Sequence, residues 1–246
     1  MTLLLFDIDG TMLLTGGAGM RALNRAGKVL LGDAFSFDGV QPAGGLDPLL
    51  FREAAVRSGV DDPSPYQERF KRLYLEVLRE ELEAGARGVR ALPGVLALLG
   101  GLGRLALHQD LTLGLLTGNY REGALLKLAA AGIDSSLFTV SVCGDDAADR
   151  RAMVAVAKQQ YSALAGRHRP PDSSKVIVIG DTPRDVDCAH SNGALCFAVA
   201  TGPYSTRDLE AAGADVVVPD LTDPSPLLAL MDEERKIPLP PGTVRS

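Results

Sequence analysis

The chain has 246 residues, 46% of them hydrophobic and 5% aromatic with no Trp, and a formal net charge of −6. That length suits one large α/β domain with a small insertion and a sizeable core. The acidic balance argues against a nucleic-acid surface or an anionic membrane as partner. No apolar run reaches the roughly 18 residues of a membrane span, and no basic leader precedes the first apolar run. Cys143, Cys188 and Cys196 lack metal-ligand spacing and fit reduced thiols. A cytoplasmic location is expected.

Leu3-Leu4-Leu5-Phe6 reads as a strand buried on both faces. Asp7-Ile8-Asp9-Gly10-Thr11 follows at its end. Along an extended chain i and i+2 point the same way, so both acids can face one cavity. Gly10 permits a sharp turn and Thr11 offers a hydroxyl. Two close carboxylates repel one another, which makes sense if a cation shares them or if one is protonated. Taken alone, Asp-x-Asp-Gly is equally a strand end with an acidic turn.

Gly16-Gly17-Ala18-Gly19 has no Gly-Lys-Ser/Thr after it, so it reads as a hinge and not as a Walker loop. Residues 20–31 have a helical period interrupted by Gly27. Asp47-Pro48 reads as an N-cap with Pro at the first helical position, in a helix closed by Gly59. Ser64-Pro65-Tyr66-Gln67 reads as a capping box opening a helix to about Glu83. Between residues 16 and 88 the pattern is helical throughout, an insertion directly after the first strand.

Residues 95–107 read as a helix despite Gly100, Gly101 and Gly103. Thr112 to Leu116 is a buried strand ending in Thr117-Gly118-Asn119, whose hydroxyl and backbone N–H groups suit a phosphate cradle leading into a helix from Arg121. Thr117 as a mere helix cap is the plain alternative. Phe138 to Cys143 alternates as a strand, and Asp149-Arg150-Arg151 precedes a helix over residues 152–165. Two solvated arginines balancing nearby acids is the plain reading there.

A polar loop, Gly166 to Ser174, leads to the clearest parallel strand, Lys175 to Ile179, and then to Gly180-Asp181-Thr182-Pro183-Arg184-Asp185. A capping box explains Thr182 and Asp185 but not Asp181, an acid that follows a buried strand and one turn residue. A strand over 194–200, a short helix over 206–212, a strand over 215–218 and a helix to about Asp232 complete the scaffold. Residues 236–246 read as a loose tail, and His108, His168 and His190 share no spacing with the acids.

The four stretches, in order and each after a strand, resemble the motifs of the haloacid dehalogenase-like hydrolases. Asp7-Ile8-Asp9-Gly10-Thr11 is similar to the first, Thr117-Gly118-Asn119 to the second and Gly180-Asp181-Thr182-x-x-Asp185 to the fourth. The family's third motif supplies a Lys, often as Lys-Pro, and no Lys-Pro stands in that region here. Arg150 is taken to fill the role, ahead of Arg151 and Lys158. The stretch Gly39 to Gly59 also resembles the caps of phosphoglycolate-phosphatase-like members, with Leu46 where those carry a polar residue.

What the resemblance implies is an α/β fold, a doubly wound parallel sheet of strand order 3-2-1-4-5. It divides into a core of residues 1–15 and 89–235, a helical cap of residues 16–88 and the tail. It also implies phosphatase chemistry on a small phosphorylated metabolite, 2-phosphoglycolate or a sugar phosphate, through an aspartyl phosphate. Asp7 is then the nucleophile and Asp9 the acid/base, while Thr117 and Arg150 stabilise the transferred charge. Gly10, Thr11, Gly118 and Asn119 line the substrate. Mg²⁺ is held by the Asp7 and Asp181 carboxylates and the Asp9 carbonyl, and Asp185 orients the Arg or a metal-bound water from behind. A sugar phosphomutase of the same fold keeps the same acids, and an inactive binding module is the reading from another class. A haloalkanoate dehalogenase is disfavoured, because those members lack an acid at the position of Asp9.

Overall fold

Leu3, Leu4, Leu5 and Phe6 have no solvent exposure, and the strand they form, β1 (Thr2–Phe6), has a parallel neighbour on each side. In the computed structural model, which describes residues 2–85, 88–108, 111–164 and 175–233, β1 is central to a six-stranded sheet. The other strands are β4 (Leu111–Leu116), β5 (Val140–Val142), β6 (Val176–Gly180), β7 (Leu195–Val199) and β8 (Val216–Val218). Their order is β5-β4-β1-β6-β7-β8, all parallel. This is the expected 3-2-1-4-5 arrangement with one further strand at the edge. The loop 166–174 with His168, and the tail 236–246, lie outside the described residues.

Alternation along each strand feeds two apolar layers. Leu4 and Phe6 face the layer of helices α4 (Val95–Ala106), α5 (Arg121–Ala130) and α9 (Ser225–Glu233). Leu3 and Leu5 face α6 (Met153–Ala163), α7 (Pro183–His190) and α8 (Thr206–Ala211). Each fully buried Leu contributes roughly 1.5–3 kcal/mol of transfer free energy, so a central strand of this composition anchors the sheet. The glycines of α4 do not shorten it. No described helix is long and apolar enough to cross a membrane.

The insertion consists of α1 (Ala18–Leu31), α2 (Asp47–Arg57) and α3 (Gln67–Ala84), which share an apolar cluster of their own. Its centre is a run of aromatic rings in which Phe51 and Phe70 stack at 3.9 Å. Helix α1 continues through Gly27, where the missing side chain leaves room for the Phe35 ring. Ser64 does not cap α3: it opens a 3-10 turn, and the Gln67 side chain donates instead to the Pro48 carbonyl at 3.3 Å. Where the chain enters and leaves the insertion, β2 (Leu13–Leu14) pairs antiparallel with β3 (Arg90–Ala91). Two-residue strands carry no readable period, which is why this clasp is invisible in the sequence.

The insertion sits over the carboxyl ends of the central strands. Lys71 of α3 bridges to Asp145 at 2.7 Å and Glu122 at 2.9 Å, and Arg184 of α7 donates to the Gln41 carbonyl at 3.3 Å. Tyr120 of the core packs into the insertion's own apolar cluster.

Candidate active site

Asp7 follows β1 directly and extends its pairing through its N–H to the Ile179 carbonyl at 2.9 Å. Asp181 follows β6, the neighbouring strand, so the two carboxylates emerge side by side from the sheet. Gly10 turns the chain away, and a side chain on it would collide with the Asp181 carboxylate. Thr11 does not face the substrate space as expected: it is fully buried and its hydroxyl donates to Asp181 Oδ1 at 3.0 Å. A neutral donor thus steadies an acid that has little else to neutralise it.

Burial raises the Asp7 carboxyl to about 7, with Arg150 opposing and Asp185 and Asp9 adding to the rise. Burial likewise pushes Asp181 well above the usual carboxylate range, helped by the charges of Asp7 and Asp185. Buried like charges of this kind are relieved by a proton or by a cation. Asp7, Asp181 and Asp185 each offer an oxygen within 4.8 Å of the others. Hard carboxylate oxygens converging in a buried site suit a divalent cation. The expected third ligand is the Asp9 backbone carbonyl, not its side chain; the further carboxylate that converges on Asp7 and Asp181 is Asp185, while the Asp9 carboxylate bonds Lys127 and Asn119.

Arg150 lies at Asp7, with Nη2 3.5 Å from Asp7 Oδ1 and 3.3 Å from the Leu116 carbonyl. The same nitrogen pairs with Asp185. Asp149 closes the preceding turn by accepting from the Ala152 N–H at 2.9 Å, which directs Arg150 inward. Burial works against the guanidinium charge, but Asp185 and Asp7 outweigh it and hold it charged. Its Nε and Nη1 are buried without a protein partner. Arg151 instead forms an exposed pair with Asp187, and Lys158 donates to the Asn192 carbonyl at 3.1 Å.

Asp185 is engaged at both of its oxygens. One oxygen pairs with Arg150; the other accepts from the Thr182 N–H at 3.0 Å and hydroxyl at 2.7 Å, closing a capping box on α7.

Thr117 ends β4 and is not a helix cap: α5 begins at Arg121 without it. Its Oγ1 accepts from Asn119 Nδ2 at 2.8 Å, leaving the hydroxyl proton available to the cavity that it lines. The first N–H groups of α5 are not left for a phosphate. The Tyr120 N–H donates to Asp47 Oδ2 at 2.9 Å and the Arg121 N–H to Asp145 Oδ1 at 3.1 Å. Asp47 is therefore no N-cap of its own helix; its side chain crosses to the core. Its N–H also donates to the Gly118 carbonyl at 2.7 Å. Only glycine fits at 118, since a side chain would collide with the Gly45 carbonyl oxygen.

A residue absent from the sequence reading is Lys127 of α5. Its Nζ is 2.7 Å from Asp9 Oδ2 and 2.5 Å from Asn119 Oδ1, while Asn119 Nδ2 donates to the same Asp9 oxygen at 2.7 Å. The side chain of Lys127 is 6% exposed against 42% for Asp9, so the lysine is fixed and the acid faces the cavity. Lys127 sits within an ordinary helical pattern and Asp47 reads as a cap, and no local signal shows that either faces a cavity.

Asp7, Asp9, Gly10, Asp47, Thr117, Gly118, Asn119, Lys127, Arg150 and Asp181 line one cavity of about 420 Å³ between the insertion and the sheet. Met20, Leu23, Leu50 and Tyr74 of the insertion cover it.

The haloacid dehalogenase-like hydrolase family model matches residues 4–190. No curated protein matches the chain. A hydrolase from Pseudomonas syringae has a similar structure, with a TM-score of 0.64 at 21% identity over 93% of this chain and 98% of that one. CbbY from Rhodobacter sphaeroides, solved in complex with phosphate, gives 0.65 at 20% identity over 91% and 96% of the two chains. A predicted phosphoglycolate phosphatase from Haemophilus somnus gives 0.63 at 18% over 92% and 97%. At these identities the likeness is one of fold. The match of the family model over most of the chain carries the assignment: the chain belongs to the haloacid dehalogenase-like hydrolases.

Proposed function

We propose that the chain is a Mg²⁺-dependent phosphatase that hydrolyses a small phosphorylated metabolite through an aspartyl phosphate on Asp7. The observation that carries this is the pair of Arg150 donors that are buried beside Asp7, without a partner among the described residues, at the cavity beneath the insertion. A phosphoryl group bound there would supply the acceptors they lack. An oxygen of Asp7 attacks phosphorus as the bond to the leaving oxygen breaks, and Asp9 delivers its proton to that oxygen. Water then attacks phosphorus, Asp9 takes its proton, and Asp7 is restored. Thr117 and Arg150 face the charge that spreads over the transferred oxygens. Mg²⁺, held by the Asp7 and Asp181 carboxylates with the Asp9 carbonyl, would neutralise the acids and the phosphate together.

A cavity of about 420 Å³ fits a small ester and not a macromolecule. The resemblance names 2-phosphoglycolate and sugar phosphates as candidate classes. A phosphomutase must also hold a second phosphate. Among the described residues, the cations lining the cavity, Arg150 and Lys127, both come from the core and are both paired with carboxylates, which favours hydrolysis. Three buried free thiols suit the reducing cytoplasm.

Turnover of p-nitrophenyl phosphate with Mg²⁺ and its loss with a chelator test the reading directly. Small esters should exceed a phosphopeptide and a 5′-phosphorylated oligonucleotide in kcat/KM; preference for either macromolecule would remove the argument from cavity size.

Cation binding has a thermal signature. An unfolded carboxylate releases its proton near pH 4, whereas Asp7 keeps its proton to about 7. On account of Asp7 the metal-free protein therefore loses stability as pH rises through that window, and Asp181, raised as well, adds to the loss. The rise in Tm on adding Mg²⁺ should be larger at pH 8 than at pH 5.5, since the cation replaces bound protons. Asp181→Asn should abolish the shift. A shift that survives Asp181→Asn places the cation elsewhere.

For the basic residue, Arg150→Ala should lower kcat/KM by about 10²-fold or more, the scale of one lost charge stabiliser. Arg151→Ala, removing an exposed ion pair, should stay within about twofold. Because Asp185 loses its partner in Arg150→Ala, a thermal melt accompanies the assay and Arg150→Lys tests charge without the fork. Reversed effects would move the assignment to Arg151; two silent variants would move it to Lys158.

A further inference from the structure

The cap contributes two charged or hydroxyl-bearing side chains to the cavity lining, Asp47 and Tyr74. The Tyr74 hydroxyl is fully buried and has no hydrogen-bond partner among the described residues. Helix α3 places it against Gly123 of α5, where a larger residue would press on the ring. Asp47 is buried too, with Oδ2 held by the Tyr120 N–H, so its position is fixed by the core turn it touches. Around them the cap offers Met20, Leu23 and Leu50, and no cation among its described residues. Lys127 is the nearby positive group, already bonded to Asp9 Oδ2 and Asn119 Oδ1 and covered by the first turn of α1 at Gly19.

A carboxylate beside a phenol that lacks a partner is a pair with defined demands. Burial, then the charges of Asp47 and Asp9, hold the Tyr74 hydroxyl protonated, well above the ordinary phenol value, so it is a donor. Asp47 is an acceptor when ionised. A hydroxyl on the leaving group meets both: its proton goes to Asp47 and its oxygen accepts from Tyr74. A carboxylate or second phosphate would face the charges of Asp47 and Asp9 against one lysine that already pairs with Asp9. An ammonium would face Lys127 and could accept nothing from Tyr74.

We propose that Asp47 and Tyr74 select a neutral, hydroxyl-bearing leaving group, so that the substrate is a polyol or sugar monophosphate and not a phosphocarboxylate or bisphosphate. This rests on the phosphatase reading above and narrows it.

The test compares kcat/KM for glycerol 3-phosphate and ribose 5-phosphate with that for 2-phosphoglycolate and fructose 1,6-bisphosphate, with p-nitrophenyl phosphate as reference. The unmodified protein should favour the neutral esters by about tenfold or more, as sites built to hydrogen-bond a hydroxyl do. Tyr74→Phe should lower the ratio of polyol ester to p-nitrophenyl phosphate about tenfold, the weight of one buried hydrogen bond. Asp47→Asn should narrow the gap between the polyol ester and 2-phosphoglycolate by a similar factor. Preference of the unmodified protein for either anionic ester, with p-nitrophenyl phosphate still hydrolysed, would overturn the selectivity alone. Ratios that move in neither variant would do the same. Absence of turnover on every ester, the reference included, would overturn this inference and the phosphatase reading together.

Discussion

Asp7→Asn should leave a folded protein whose phosphatase turnover has fallen by at least about 10⁴-fold, the scale of losing an attacking group. The substitution is nearly isosteric, so Arg150, 3.5 Å from Asp7 Oδ1, keeps a neutral acceptor in place. It removes one of several buried negative charges that burial and neighbours already hold above the usual carboxylate range. The melting temperature should accordingly be unchanged or higher, which separates lost chemistry from lost fold. Quenching a reaction and reducing the acyl phosphate should label one aspartate, Asp7, by peptide mass. Label on another residue, or full activity in Asp7→Asn, would remove the mechanism.

Asp9→Asn is expected to lower kcat by about 10²–10⁴-fold, the usual range for a positioned proton donor. The loss should shrink as the leaving group improves, because an aryl oxide needs less protonation than an alkoxide. Asp9 stands apart from Asp7 and Asp181 in its surroundings: its carboxylate is half-exposed to the cavity, and one oxygen is pinned by Asn119 and Lys127. Pinning one oxygen leaves the other to reach the leaving group. Lys127→Met should therefore repeat the leaving-group dependence of Asp9→Asn with a smaller loss. A series of aryl and alkyl phosphates, measured after Mg²⁺ binding is shown intact, checks both variants. An equal loss across leaving-group pKa would assign Asp9 a structural role.

The parallel sheet and the acids at its edge are legible in the sequence because both are local. Leu3 to Phe6, Thr112 to Leu116 and Val176 to Ile179 are short apolar runs of strand length, and each ends in a residue that now lines the cavity, Asp7, Thr117 or Asp181. Parallel strands bury both faces, so hydrophobicity alone marks them, and ligand-facing groups follow at their carboxyl ends. The choice among Arg150, Arg151 and Lys158 is different. Arg150 and Arg151 are adjacent and identical in type; the Asp149 turn and Asp185, 35 residues away, send one inward while Asp187 holds the other at the surface. Lys127 and Asp47 were beyond reach for the same reason. One looks like the polar face of a helix and the other like a cap; Lys127 meets Asp9 only when α5 packs beside the β1 end within the core, and Asp47 meets Tyr120 only when the insertion closes over the strand ends. Patterns of period two or 3.6 report which face of an element is buried, not which distant group meets it there. The apolar runs and strand-end acids are therefore determined by the sequence itself. The pairing of buried charges, which depends on dielectric and distance between segments far apart in the chain, was decided only by the tertiary structure.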